Sequence, residues 1–123
     1  MRSIRREDVP VVIADNGVEV RLRDEDGLFV GLVRLPARAD LRPATLGLQD
    51  DLCPCPHWGY MIKGRVRMHT LDGHRDFAAG EAFYWAPGHA PEALEDSEYV
   101  DFSPTEEFRR VVEHITARAG AST

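Results

Sequence analysis

Cys53, Cys55 and His57 occupy alternate positions in DLCPCPHWGYMIKG (residues 51–64), and His89 follows a Pro-Gly turn at the end of GEAFYWAPGH (residues 80–89). Thiolate and imidazole together are zinc ligands, and they suit copper and ferrous iron as well. On an extended strand alternate residues project the same way, about 6.6 Å apart at ~3.3 Å per residue. Cys53 with Cys55, or Cys55 with His57, could therefore share one ion. Cys53 and His57 would lie roughly 13 Å apart on a straight strand, too far for a common ion. Pro54 and Pro56 cannot donate ladder hydrogen bonds, so a bulge or loop there is the means of bringing them together. Each residue also has a plainer reading. Buried cysteines serve as small apolar side chains, His57 as a satisfied barrel histidine, His89 as a solvated loop residue and Asp51 as a turn carboxylate. A cysteine beside a histidine is a possible nucleophile with its base. There is no GxSxG, P-loop or dinucleotide-binding glycine pattern to suggest other chemistry.

The elements that must position these residues are short strands. PVVIA (residues 10–14) ends at Asp15-Asn16-Gly17, VEVRLR (18–23) alternates apolar with charged residues before Asp24-Glu25-Asp26-Gly27, and LFVGLVRL (28–35) stops at Pro36. WGYMIKGRVRMHT spans two strands pivoting near Lys63-Gly64, and Leu71-Asp72-Gly73 is a tight-turn signal. AFYWAP and EYVDF follow. Roughly eight short strands with regular punctuation predict an all-β sandwich or closed barrel rather than βαβ units. Residues 36–44 read as a loop. Val66 and Met68 face inward, leaving Arg65, Arg67 and His69 outside; His74 and His114 are surface residues too. Tyr60, Phe83, Tyr84 and Trp85 read as barrel packing, with Tyr84, Met68 and Met61 assigned to a pocket wall, and Gly59 leaves space beyond His57. One helix closes the chain, over about residues 104–119. Ser103-Pro104-Thr105-Glu106 fits a capping box with proline at the first helical position. Phe108, Val111, Val112 and Ile115 then recur at helical spacing, and Gly120 can end the run. This helix is a lid on the barrel or a dimer contact. The first eight and last four residues are expected to fray.

DLCPCPHWGYMIKG resembles the first motif of the cupin superfamily, in which two histidines spaced His-x-His and a glutamate bind metal ahead of an aromatic-apolar strand ending in glycine. WGYMIKG is most similar to that strand in oxalate-decarboxylase-type cupins. Counting back from Gly64, the glutamate position falls on His57, the second histidine on Cys53 and the first on Asp51. GEAFYWAPGH resembles the second motif, in which the closing histidine is the last ligand, here His89. The resemblance covers about residues 44–103 and implies an all-β cupin-type barrel (a double-stranded β-helix or jelly roll) with an added C-terminal α-helix. It implies one domain over 1–123 with its core at about 10–103, and one transition-metal ion per chain, zinc, copper or iron, held by Cys53, His57 and His89 with Cys55 as the further candidate. Small cupins of this kind include dioxygenases, isomerases, decarboxylases and lyases, and they commonly pair as homodimers. Here the strand at 10–14 or the last helix would make that contact.

Length and charge narrow the alternatives. The 123 residues suffice for one core. A net charge of −6, with seven acids and no base from Glu92 to Glu107, argues against nucleic acid or anionic lipid as partner. No run approaches the ~18 apolar residues of a membrane span, the N-terminal ten residues lack the apolar run of a secretory signal, and two cysteines in CPCP staple no loop. A cytoplasmic protein is expected. Three functions are then open. The first is a mononuclear metalloenzyme acting on a small organic molecule (oxygenase, isomerase or lyase), with three protein ligands and an open position. The second is a non-catalytic metal- or ligand-binding module, a sensor, a store or a structural zinc site. The third is a barrel that has lost metal and serves as a binding scaffold. A closed Cys2His2 set would favour the second.

Overall fold

The computed structural model describes residues 1–121. Its nine strands are β1 (Val11–Asp15), β2 (Val18–Glu25), β3 (Leu28–Leu35), β4 (His57–Lys63), β5 (Arg65–Thr70), β6 (Gly73–Ala78), β7 (Ala82–Trp85), β8 (Ala90–Ala93) and β9 (Ser97–Pro104); helix α1 spans Thr105–Ala121. They form two antiparallel sheets, one ordered β1-β2-β3-β9-β4-β7 and the other β6-β5-β8. This is the all-β fold with a C-terminal helix that the alternation of short strands and turns predicts, in the jelly-roll form that the motif resemblance implies. The chain pivots at Gly64 as expected. A Cβ there would run into the Asp96 carbonyl and Ser97, and φ is +82°, a conformation only glycine adopts freely. Pattern reading named no run for β6, which follows the Leu71-Asp72-Gly73 turn, or for β8. Pro91 argues against a strand, but β8 is a sheet edge, where a missing N–H costs no ladder bond.

Period-2 alternation places Val20, Leu22, Val33, Leu35, Met61, Val66, Met68, Phe83, Trp85 and Tyr99 in one buried cluster between the sheets. The opposite face of the large sheet is unusually apolar. Trp58 lies across from Tyr84 on one side and Phe102 on the other, and these three are exposed together with Tyr60 and Ile62.

The helix begins one residue later than the capping pattern suggests. Ser103 and Pro104 still belong to β9, and the buried Ser103 hydroxyl makes no hydrogen bond. The start of α1 is tied instead through Thr105, whose N–H donates to the Gly27 carbonyl and whose hydroxyl donates to Asp24. The helix continues through Gly120 to Ala121. Its apolar stripe covers the barrel: Phe108 packs edge-on against Phe29 and His57, and Val111 is buried on Cys53 and Cys55. The stripe thus acts as a lid. The N-terminal segment is anchored as well, with Val9 fully buried and Arg6 paired to Glu19 and Glu98. Residues 122–123, part of the expected C-terminal fraying, lie outside the described residues.

Gly59 does not open space in the cavity. A Cβ on it would collide with the Val100 carbonyl and with Phe83, so the room it leaves is already filled by neighbours. Gly59→Ala is expected to destabilise the fold by about 2 kcal/mol or more through overpacking against backbone, read as a lowered midpoint in urea unfolding with an unchanged slope.

Candidate metal centre

Three of the sequence-selected residues converge. One ligand atom from each of Cys53, His57 and His89 lies within 4.8 Å of the others, and all three residues are buried. The convergence begins in the backbone. Cys53 and His89 face each other in an isolated antiparallel bridge, in which the Cys53 N–H donates to the His89 carbonyl at 2.8 Å and the Gly88 N–H donates to the Cys53 carbonyl at 2.7 Å. The chain then bends at Cys55, between the two prolines, before β4 begins at His57. The bend removes the separation that a straight strand would impose. The Cys53 Sγ stands 3.7 Å from the His57 Nε2.

Cys55 does not join them. Its thiol is fully buried on the other side of the bend, 3.5 Å from the Pro56 carbonyl, in a small pocket of about 210 Å³ with Leu48, Glu107, Arg110 and Val111. The physical reason is the bend itself, because the side chain at its apex turns opposite to its neighbours two residues away. Asp51 is an exposed turn residue whose carboxylate accepts from the Gly47 N–H at 2.9 Å. Of the assigned pocket residues only Met68 lines the large cavity. Met61 is fully buried in the core away from it, and Tyr84 is 53% exposed, on the outer face beside Trp58. Tyr84 and Met61 are therefore corrected: on β7 the inward residues are Phe83 and Trp85, and Tyr84 takes the opposite phase.

The decisive residue that pattern reading passed over is Asp101. In EYVDFS on β9, Tyr99, Asp101 and Ser103 share the buried face, so a carboxylate on an inward phase was the available signal. Its Oδ2 lies 3.3 Å from the His57 Nδ1, with both side chains buried; the contact is ionic, without aligned hydrogen-bond geometry. Gly31, directly opposite on β3, makes the room, since a Cβ there would strike the Asp101 carboxylate. His89 is oriented comparably: its Nδ1 is 2.6 Å from the Ala86 carbonyl. A carbonyl only accepts, so Nδ1 carries a proton, and Nε2 is the nitrogen left for the cluster. Such outer partners set the tautomer of metal-binding histidines. A tetrahedral ion with bonds of about 2.0–2.3 Å needs donor separations of roughly 3.3–3.8 Å; the Cys53–His57 pair at 3.7 Å meets that range, and all three donors lie within 4.8 Å of one another.

Charge sharpens the arrangement. Burial opposes ionisation of Cys53, yet hydrogen bonds and charge from His57 and His89 outweigh it and bring the thiol down to about 6. Burial likewise disfavours the His57 imidazolium, but Asp101 and the Cys53 thiolate hold its proton, raising it to about 9. Burial, reinforced by the Cys53 charge, pushes the Cys55 thiol up to about 12, so it stays protonated. The two cysteines of one tetrapeptide are opposite in character.

A cavity of about 680 Å³ opens onto this cluster. Val20, Val33, Met68, Trp85 and Tyr99 contribute its sheet walls, and Phe108, Val112 and Ile115 its helical wall.

No family model matches the sequence, and no curated protein is similar to it. Solved structures are similar in fold. A variant of oxalate decarboxylase from B. subtilis superposes with a TM-score of 0.59 at 19% identity, over 80% of this chain. A second oxalate decarboxylase structure from B. subtilis, described by its Mn(II) centres, gives 0.62 at 22% over 80%. KdgF from Halomonas sp. gives 0.59 at 23% over 81%. The chain spans 28% of the length of these oxalate decarboxylases and 90% of KdgF. The protein has the cupin fold. Its Cys/His/His cluster makes it a candidate metal-binding cupin.

In metal-free protein the thiolate–imidazolium pair should be populated between about pH 6 and about pH 9. The depressed thiol loses its contribution to stability as pH falls through about 6, and the raised imidazole loses its own as pH rises through about 9. Ultraviolet thiolate absorbance should titrate near 6 in the wild type and shift towards the ordinary thiol value of 9 in His57→Ala.

Proposed function

We propose that this protein is a metal-binding cupin that holds one transition-metal ion per chain through Cys53, His57 and His89 and presents it to a small organic molecule, as a mononuclear metalloenzyme of oxygenase, isomerase or lyase type. The observation that carries this reading is the direction of Cys55. With its thiol in a separate pocket, three donors remain, and the large cavity reaches them. Three protein ligands with an open position are the arrangement of catalytic sites, whereas four close a structural one. Charge supports a divalent ion. One proton on His57 offsets only half of the charge of the Cys53 thiolate and the Asp101 carboxylate, and a divalent cation in its place would leave the buried group neutral. Zinc, iron or copper suits thiolate and imidazole better than hard cations such as magnesium or calcium.

When bound, the ion would supply Lewis acidity or an oxygen-binding centre. The chain's own residues orient it: Asp101 holds the His57 ring, the Ala86 carbonyl holds His89, and Phe108, Val112 and Ile115 give the cavity an apolar wall beside it. Protein purified without added metal should contain about one zinc, iron or copper per chain by elemental analysis. His57→Ala with His89→Ala should lose it, and Cys55→Ser should retain it. Cobalt-substituted protein should show visible bands that change with azide. A four-coordinate spectrum with two thiolate contributions, unresponsive to azide, would instead identify a closed site and the non-catalytic module.

Cys53, His57 and Asp101 also stand in the order nucleophile, base and orienting carboxylate. That geometry favours a second reading, a metal-independent thiol nucleophile. Protein that takes up no metal, with Cys53 alkylated rapidly by iodoacetamide at neutral pH, would support it.

The partner we infer beside the small molecule is a second copy of the chain, docked through the outer face of the large sheet. Trp58, Tyr60, Ile62, Tyr84 and Phe102 are each 40–53% exposed there. Together they present roughly 500 Å² of mainly apolar surface, the scale of an interaction patch and a large part of the ~800 Å² per partner of a stable interface. The charges flanking the patch are paired among themselves, Arg21 with Glu19, Arg23 with Glu25 and Arg34 with Glu98, so a second copy meets no unbalanced like charge. Free thiols at Cys53 and Cys55 suit a reducing, cytoplasmic setting. Sedimentation should give a dimer for wild type and for Val12→Glu on β1, and a monomer for Trp58→Glu with Phe102→Glu. A wild-type monomer at high concentration would refute the dimer.

A further inference from the structure

The cavity above the cluster carries information about the ligand's chemistry. Its buried polar groups are Cys53, His57, His89, Asp101, the Tyr99 hydroxyl, the Trp85 indole N–H and the Thr45 hydroxyl, the last already bonded to the Arg42 and Asp51 carbonyls. The cations on its wall are Arg38 and Arg118, and both are exposed at the mouth. Between the deep polar end and the mouth the walls are apolar: Val20, Val33, Met68, Phe108, Val112 and Ile115. A dianion placed at the deep end would face the Asp101 carboxylate with no buried lysine or arginine to offset it. A polyhydroxylated molecule would leave hydroxyls against these apolar walls, and each unpaired one costs on the order of 1–3 kcal/mol. Like the Trp85 indole N–H, which has no partner, the hydroxyl of Tyr99 on the same wall makes no hydrogen bond with any described residue. It is free to meet one oxygen of a ligand.

We propose that the cavity receives a molecule with an extended apolar body and a single oxygen head group (ketone, enol or phenol), the head lying among Tyr99 and the Cys53–His57–His89 cluster and the body against the helix. This deepens the metal-binding reading and rests on it only for what the oxygen meets besides Tyr99. Small diacids and sugar acids are excluded by the same walls. The volume of about 680 Å³ accommodates a body of this kind, within the range of ligand pockets generally.

The test uses a graded probe series, 4-methyl-, 4-ethyl- and 4-butylphenol, with oxalate and gluconate as polar comparators. Binding to the purified, metal-containing protein is followed by calorimetry. Affinity should rise along the alkylphenols, by up to about fourfold per methylene if the body is buried. Both polar probes should bind more weakly than 4-butylphenol. Tyr99→Phe, which keeps the ring, should weaken every alkylphenol by about three- to tenfold, the worth of one hydrogen bond, leaving the increment per methylene intact. Ile115→Gln on the helical wall should flatten the increment instead. A flat series, or oxalate or gluconate binding tighter than 4-butylphenol, would overturn the proposal. Repeating the series on chelator-treated protein separates it from the metal reading. The methylene increment and the Tyr99→Phe effect surviving in protein that binds no metal would uphold this inference and reject the metal. Stoichiometric metal with a flat series would do the reverse.

Discussion

The site depends on a two-residue bridge and the proline-bounded bend that follows it. Cys53 and His89 hydrogen-bond through their backbones, so their side chains are set by main-chain geometry rather than by rotamer choice. Pro54 and Pro56 donate no amide to a ladder, and the strand cannot resume until His57. The third donor therefore folds back onto the first two. Everything that gives the cluster its chemistry follows from this local reversal: the 3.7 Å approach of sulfur and imidazole, the separation of Cys55, and the open side towards the cavity.

Holding ionisable groups in a core requires support from the surrounding sheet. β9 supplies Asp101, and its neighbour β3 supplies the absence of a side chain at Gly31. The carboxylate sits where a barrel would ordinarily place an aliphatic residue, and it determines that His57 is a strong proton holder without metal and an oriented ligand with it. Tyr99, two residues earlier on the same buried face, has its ionisation pushed well above the ordinary tyrosine value by burial, so it remains a neutral donor. One face of one strand thus carries both the orienting anion and the neutral hydroxyl.

The helix links this interior to the surface. Phe108 lies 4.6 Å, centroid to centroid, from the His57 ring, Val111 covers both cysteines, and Val112 and Ile115 line the cavity. The cover over the cysteines and the apolar character of the ligand space come from the same stripe. Its burial also leaves the aromatic outer sheet face, around Trp58, as the large apolar surface still open for assembly. In a jelly roll the two sheet faces are separated by the period-2 phase, so the inner site and the aromatic outer face can differ in chemistry within a single strand such as β4.

Much of this is legible in the residues alone. Short alternating runs and turn signals determine an all-β sandwich or barrel, because a period of two buries one face of each strand, and the spacing of Phe108, Val111, Val112 and Ile115 determines the closing helix. Cys53, His57 and His89 stand out by residue type beside the two motifs. What spacing could not decide is direction. Whether Cys55 joins the cluster depends on which residue forms the apex of the bend, a property of the folded backbone shared equally by both cysteines in the written sequence. Tyr84 and Phe83 are adjacent, and only the register of β7 against β4 places one outside and the other inside. Asp101 acquires its role from His57, 44 positions away in the chain, through the β4–β9 pairing and the opening at Gly31. Local patterns determine which face of an element is buried; non-local strand pairing alone determines which buried groups meet.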